Sequence, residues 1–130
     1  MEFLRTPDAC FENLADYPFA ANYVDIFDTE GGSLRLAYVD EGPRDGQPVV
    51  MIHGNPTWSY MWRKLIPVLA EAGYRAIAID LIGMGRSDKP AQMSDYSIAQ
   101  HEAWVKEALF EKLNLTDAHF ILHDLSLIHI

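Results

Sequence analysis

Three short runs of apolar residues, separated by stretches with helical periodicity, form the main pattern of the chain. Pro48–Ile52, residues 76–79 and residues 120–122 are continuous apolar segments, which is typical of strands buried on both faces of a parallel sheet. Upstream, residues 23–27 and 34–39 alternate between apolar and polar positions around a set of turn residues, and therefore predict an antiparallel hairpin. The pattern predicts an α/β fold with a mostly parallel sheet and an N-terminal hairpin.

Two stretches between these runs have the periodicity of amphipathic helices. In residues 59–72 the apolar positions recur at helical spacing, and Gly73 is placed as a C-terminal stop. Pro67 lies inside this stretch, so we expect the helix to bend there. The second helix begins after Ser97, the N-cap of a predicted capping box, and ends near Asn114. We expect both helices to flank the sheet.

The first 20 residues contain prolines and aromatic residues without a periodic pattern, and we expect them to form an arm that covers the sheet. No repeat, low-complexity tract or flexible linker divides the rest of the chain. Residues 1–124 are therefore predicted to form one α/β domain.

The charge balance narrows the classes of partner. Nineteen acidic and ten basic side chains give a formal net charge of -9, which repels nucleic-acid phosphates and anionic membrane surfaces. Cys10 is the only cysteine, so no intrachain disulfide is expected. The sequence shows neither a signal peptide nor a stretch long enough to cross a bilayer, which predicts a cytoplasmic location.

Chemistry in open α/β folds lies at the carboxyl ends of the parallel strands, where residues 53–63 form the first candidate loop. Gly54 permits a sharp turn there, and amide groups near Asn55 can point into a cleft. The loop is either an anion or oxyanion site or an ordinary connection between strand and helix, and the residues leave both interpretations open. His53 we interpret as a hydrogen-bonded turn residue rather than a base.

The second candidate loop, residues 80–90, is rich in glycine. Gly83 and Gly85 are spaced as in a dinucleotide-binding fingerprint, but Asp88 occupies the position of its third glycine, so we reject a nicotinamide site. There is no Walker lysine motif, and the histidines are too scattered to bind zinc. We expect this loop to shape the wall of a cleft and predict no metal and no cofactor.

The third candidate is Asp124, which follows the last apolar run. A carboxylate exposed at a tight turn near amide donors can act as a nucleophile that forms an ester intermediate. A strand-end aspartate can equally cap the next helix. The residues alone do not decide between these roles.

Taken together, the three loops resemble the α/β-hydrolase fold and, within it, the haloalkane dehalogenases. The motifs that carry the resemblance are residues 53–63, 80–90 and 123–124, joined by residues 5–8, 13–19 and 22–25 of the arm. The similarity extends from about Arg5 to Asp124. The arm is typical of a branch that usually has Glu after His-Gly, whereas Asn55 is typical of another branch.

The resemblance implies a two-step displacement on a small halogenated alkane. Asp124 would attack the carbon that bears the halogen, and a histidine-activated water would hydrolyse the resulting ester. Asn55 would hold the leaving halide through its side chain, and the backbone N–H groups of Asn55 and Leu125 would stabilise the oxyanion. The resemblance implies no cofactor and a monomeric parent enzyme.

The chain departs from the family after the nucleophile, where the family has Trp and then Gly. Here residues 125–130 follow instead, and we interpret them as a non-native tail. We therefore predict an N-terminal fragment that lacks the cap domain, the catalytic histidine and its acidic partner, and that has no turnover by itself. Two alternatives stay open: an epoxide hydrolase or other α/β-hydrolase as the parent, and a non-catalytic binding fragment.

Overall fold

Five strands form the central sheet of the computed structural model, which describes residues 1–124. The strands within these residues are β1 (Phe3–Leu4), β2 (Asn22–Phe27), β3 (Ser33–Glu41), β4 (Pro48–Ile52), β5 (Arg75–Ile79), β6 (Lys89–Pro90) and β7 (His119–Leu122). Within the described part, the order in the central sheet is β2-β3-β5-β4-β7, while β1 and β6 pair separately. β2 and β3 form an antiparallel hairpin, and β4 pairs in parallel with both β5 and β7. The predicted hairpin and parallel strands are confirmed. β3 connects the hairpin to the parallel strands, because it pairs antiparallel with β5.

Alternate side chains of the inner strands build a core layer on each face of the sheet. Val50 and Ile52 of β4 belong to one buried cluster, together with the helix residue Trp104. Met51, between them in sequence, belongs to a second cluster with Ile66 on the opposite face. All five side chains are at most 1% exposed, so β4 is buried on both faces as its apolar run predicted.

The first helical stretch is interrupted rather than bent. A 3-10 helix spans Ser59–Trp62, and the α-helix α1 spans Leu65–Glu71. Pro67 lies in the first turn of α1, where a backbone N–H has no partner within the helix, so the proline costs no hydrogen bond. The prediction of one continuous, bent helix was therefore wrong. The predicted stop at Gly73 is confirmed by its φ of 92°.

The second helix, α2, spans Ile98–Lys106 and continues as a π-helical segment over Glu107–Lys112. Ser97 caps it, since its side chain accepts a hydrogen bond from the Gln100 N–H at 3.0 Å. Asn114 has a φ of 54° just beyond the helix, so the predicted end is confirmed. α2 covers the face of the sheet opposite α1.

The N-terminal arm covers one side of the sheet, as predicted. It contains a 3-10 helix over Asp8–Phe11, and another short 3-10 helix at Met93–Asp95 precedes α2. Tyr17 and Phe19 of the arm are buried in the same core cluster as Ile66. The arm therefore lies on the face that carries α1, beside the loops that follow β4 and β5.

Candidate active site

Asp124 lies directly after β7, at the carboxyl edge of the sheet. Its φ is 59°, in the left-handed region that residues other than glycine rarely occupy. The preceding residue, His123, still donates its backbone N–H to the Ile52 carbonyl at 3.2 Å. The chain therefore turns sharply at Asp124, and its exposed carboxylate occupies a strained position of the kind that recurs at nucleophile elbows.

Gly54 packs directly against this turn. A Cβ placed on Gly54 would lie 2.4 Å from the Asp124 Cβ and 3.0 Å from the His123 carbonyl oxygen. Only glycine allows this approach, because a side chain would overlap both groups. The structure thus brings the loop after β4 and the aspartate after β7, which are remote in sequence, into contact.

Asn55 follows Gly54 in this loop and is exposed. The Thr57 N–H donates to the Gly54 carbonyl at 3.2 Å, so the loop closes a tight turn around Asn55. Asn55 and Asp124 therefore lie at the same edge of the sheet, as predicted. Leu125 and the predicted tail of residues 125–130 lie outside the described residues.

His53 is held inside the molecule by both ring nitrogens. Its Nε2 accepts a hydrogen bond from the Leu81 backbone N–H at 2.9 Å, and its Nδ1 lies 2.7 Å from the Gly54 carbonyl oxygen. Because Nε2 is an acceptor, the proton is on Nδ1 and the ring is neutral. Burial lowers the pKa of His53, and the imidazole is completely buried. This confirms the interpretation of His53 as a hydrogen-bonded turn residue.

Asp80, directly after β5, joins the two neighbouring loops. Its Oδ1 accepts from the Ser59 N–H at 2.7 Å, and its Oδ2 accepts from the Arg86 N–H at 3.0 Å. Burial raises the pKa of Asp80 above its usual value, although the hydrogen bonds from Arg86 and Ser59 act in the opposite direction. Sequence reasoning missed this role. An aspartate directly after the apolar run of residues 76–79 was the available signal.

The glycine-rich loop supports the site structurally. Gly85 makes room for Asp80, since a Cβ there would lie 2.6 Å from the Asp80 Oδ2. Asp88 is completely buried and accepts two hydrogen bonds from Arg5, at 2.6 and 2.7 Å. The loop is thus a braced wall next to the candidate site, which agrees with its predicted structural role.

Residues 1–124 contain neither a metal-binding cluster nor a helix that could span a membrane. In that part of the chain, no group of three or more His, Cys, Asp or Glu side chains is arranged to hold a metal ion. None of the helices in the same range is long and apolar enough to cross a membrane.

Comparison with known proteins identifies a family that this chain matches. Residues 47–125 match the family model described as alpha/beta hydrolase fold. A haloalkane dehalogenase of Mycobacterium marinum is 54% identical over 124 residues, which are 95% of this chain and 41% of that protein. The haloalkane dehalogenase of Psychrobacter cryohalolentis is 48% identical with the same coverage. The chain thus spans 41% of the length of these curated relatives, as expected for part of a longer fold.

Solved structures of haloalkane dehalogenases also superpose on this chain. The haloalkane dehalogenase DpaA of Paraglaciecola agarilytica, described as tetrameric, superposes with a TM-score of 0.86 at 44% identity, over 95% of this chain and 41% of that one. The haloalkane dehalogenase DatA of Agrobacterium tumefaciens superposes with a TM-score of 0.70 at 32% identity, over 89% of this chain and 37% of that one.

Proposed function

Because the chain belongs to the α/β-hydrolase fold family, we propose that it contributes the nucleophile of a haloalkane dehalogenase. Such an enzyme hydrolyses a haloalkane to an alcohol, a halide ion and a proton. Asp124 is the proposed nucleophile, and Asn55 and the backbone N–H of Leu125 are the proposed halide and oxyanion contacts.

In the first step, a carboxylate oxygen of Asp124 forms a bond to the carbon that bears the halogen. The carbon–halogen bond breaks, and its electron pair leaves with the halide. The side-chain NH₂ of Asn55 stabilises the departing anion. The product is an alkyl ester on Asp124.

In the second step, water attacks the carbonyl carbon of that ester. The N–H groups of Asn55 and Leu125 stabilise the oxyanion, and the collapse of the intermediate releases the alcohol and restores the carboxylate. The proton of the attacking water passes to a histidine that the rest of the enzyme supplies. His53 does not take this role, because Leu81 occupies its Nε2.

One observation carries this proposal, namely the contact between Gly54 and Asp124 at the carboxyl edge of the sheet. It holds a strained, exposed carboxylate beside a tight turn that contains Asn55. The identity of this chain to named haloalkane dehalogenases supports the choice of haloalkanes among the substrates that an aspartate nucleophile can attack.

A fused enzyme tests the proposal. Residues 1–124 are joined to the part of the Mycobacterium marinum relative that this chain does not cover, and halide release from a 1-bromoalkane is measured. We expect turnover in the fused enzyme and its loss in the Asp124→Ala variant. Asp45→Ala, which removes an exposed aspartate at the opposite end of β4 from the Asn55 loop, is the matched control.

Mass spectrometry of the fused enzyme during turnover provides the second readout. An alkyl adduct on Asp124 is expected. A fused enzyme that opens epoxides but leaves bromoalkanes intact would instead favour the epoxide-hydrolase alternative. A folded fused enzyme without either activity would contradict the proposal.

We also propose that the intact enzyme is a cytoplasmic monomer that acts in detoxification of halogenated compounds. The lone Cys10 supports a reducing compartment. The acidic composition argues against anionic surfaces as partners. DpaA is described as tetrameric. Size-exclusion chromatography with light scattering of the full-length enzyme decides between a monomer and a tetramer.

A further inference from the structure

A chain of buried hydrogen bonds connects the N-terminal arm to the loop that contains Asn55. The Tyr17 hydroxyl lies 2.5 Å from the Ser59 Oγ, and both residues are buried. The backbone N–H of Ser59 in turn donates to the Asp80 Oδ1 at 2.7 Å. Burial raises the pKa of Tyr17 to about 12, which keeps its proton in place.

Arg86 closes this chain into a ring. Its backbone N–H donates to Asp80 at 3.0 Å, and its guanidinium donates to the Phe19 carbonyl of the arm at 3.2 Å. The guanidinium also lies 4.9 Å from the centre of the Tyr17 ring. The arm therefore contacts both loops that flank the site. Its Tyr17 hydroxyl bonds to the loop after β4, and its Phe19 carbonyl accepts from Arg86 in the loop after β5.

This closed set of hydrogen bonds restricts the conformation of the Asn55 loop. Trp58 of that loop lies 5.2 Å from Tyr17 between ring centres, and a Cβ on Gly85 would come within 2.9 Å of the Trp58 Cβ. At its other end, the loop is fixed because His53 bonds to Leu81, directly after Asp80. The loop is thus anchored on both sides of Asn55.

We infer that Tyr17, Ser59 and Asp80 are positioning residues, through which the N-terminal arm sets the conformation of the Asn55 loop and its distance from Asp124. Nothing in this relay touches a substrate. It acts by fixing the turn that presents Asn55. The inference rests on the proposed function only in treating Asn55 and Asp124 as the reacting edge.

The test removes one hydroxyl from the 130-residue chain. Tyr17→Phe deletes the hydroxyl that bonds to Ser59 and leaves the ring that packs against Trp58. Amide hydrogen exchange and the Asn55 side-chain NH₂ resonances are followed by NMR. We expect exchange at Ser59 and Thr57 to accelerate roughly two- to tenfold, the factor for one lost hydrogen bond, and the Asn55 resonances to shift. The Ala78 amide in β5 should keep its rate.

Tyr60→Phe is the matched control, because it also removes a tyrosine hydroxyl that bonds to the arm, at the Ala15 carbonyl, without touching Asp80. It should leave Ser59, Thr57 and Asn55 unchanged. The inference is overturned by equal effects of the two variants, by uniform acceleration that includes Ala78, or by an unchanged Asn55 environment in Tyr17→Phe. None of these readouts needs dehalogenase activity, so a failure of the proposed function is detected separately in the fused enzyme.

Discussion

Arg5 and Asp88 form a bidentate ion pair across 83 positions of the chain, with N–O distances of 2.6 and 2.7 Å. The Asp88 side chain is completely buried, whereas that of Arg5 is 44% exposed. The same carboxylate also accepts the Arg35 backbone N–H at 2.8 Å. This pair fixes the start of the arm to the glycine-rich loop beside the candidate site.

Arg5→Gln should destabilise the chain by about 2 kcal/mol, because it leaves a buried carboxylate without its cation. The loss stays below the roughly 3–5 kcal/mol of a fully buried pair, since solvent already reaches Arg5. Urea denaturation measures the change. Arg44→Gln is the matched control, because Asp40 keeps two hydrogen bonds from Arg75 when Arg44 is removed, and its cost should be clearly smaller. Equal losses in both variants would contradict this assignment.

Gly54→Ala should displace the turn at Asp124 and destabilise the chain by about 1–3 kcal/mol, the usual cost of overpacking. The new methyl group would overlap the Asp124 Cβ. Backbone NMR shifts at Asp124 and the free energy of unfolding are measured together. Gly73→Ala is the control: nothing lies within 4 Å of its added Cβ, and its φ of 92° makes it costly only at the end of α1. A normal Asp124 environment in Gly54→Ala would be incompatible with the contact.

The strands could be predicted because local pattern determines them. Pro48–Ile52 is apolar throughout and is buried on both faces, so its sequence contains the information that its position requires. The structure of residues 59–72 was harder to predict. Its apolar positions suit either one bent helix or two short ones, and only the placement of Pro67 in the first turn of α1 distinguishes them.

Side-chain partners remote in sequence could not be predicted. Ser59 and Asp80 are 21 positions apart, and Tyr17 and Ser59 are 42 apart, so no local spacing indicates that they meet. The π-helical segment at Glu107–Lys112 was also missed. Asp124 was found by its place after an apolar run, but its contact with Gly54 required the fold.

Acidification should destabilise the chain through His53. Its pKa is lowered by burial from 6.5, so the unfolded chain binds a proton that the folded one excludes. This stability is present above pH 6.5 and is lost as the pH falls toward the folded-state pKa, with a limit of about 2 kcal/mol at pH 5. The raised pKa of Asp80 acts oppositely, since its contribution is lost as the pH rises.

The difference between the wild-type chain and His53→Gln isolates this effect. Free energies of unfolding are measured from pH 7.5 to pH 5, and His53→Gln should show a flatter acid limb than the wild type. His119→Gln, at an exposed position in β7, is the matched control for removal of an imidazole. Parallel pH curves for the wild type and His53→Gln would show that the buried imidazole does not exclude the proton.

The outer edge of β7 should make the 130-residue chain associate. In the described part of the sheet, β7 pairs with β4 on one side only, and open edges with apolar side chains recruit other strands. His119→Glu places a charge on this edge and should reduce association in light scattering. Thr116→Glu adds the same charge just before the strand and should have less effect. A monodisperse monomer of the wild-type chain would contradict association through the edge of β7.

The 130-residue chain should release no more than about one halide per molecule from a 1-bromoalkane, because ester hydrolysis requires a histidine base. His53 is the buried imidazole closest in sequence to the Asn55 loop, and its Nε2 is bonded to the Leu81 N–H, so it cannot accept the proton of the attacking water. Halide release is measured against the Asp124→Ala variant, with the fused enzyme as the positive control. Repeated turnover that disappears in Asp124→Ala would show that this chain alone supplies a base, and the prediction would be wrong.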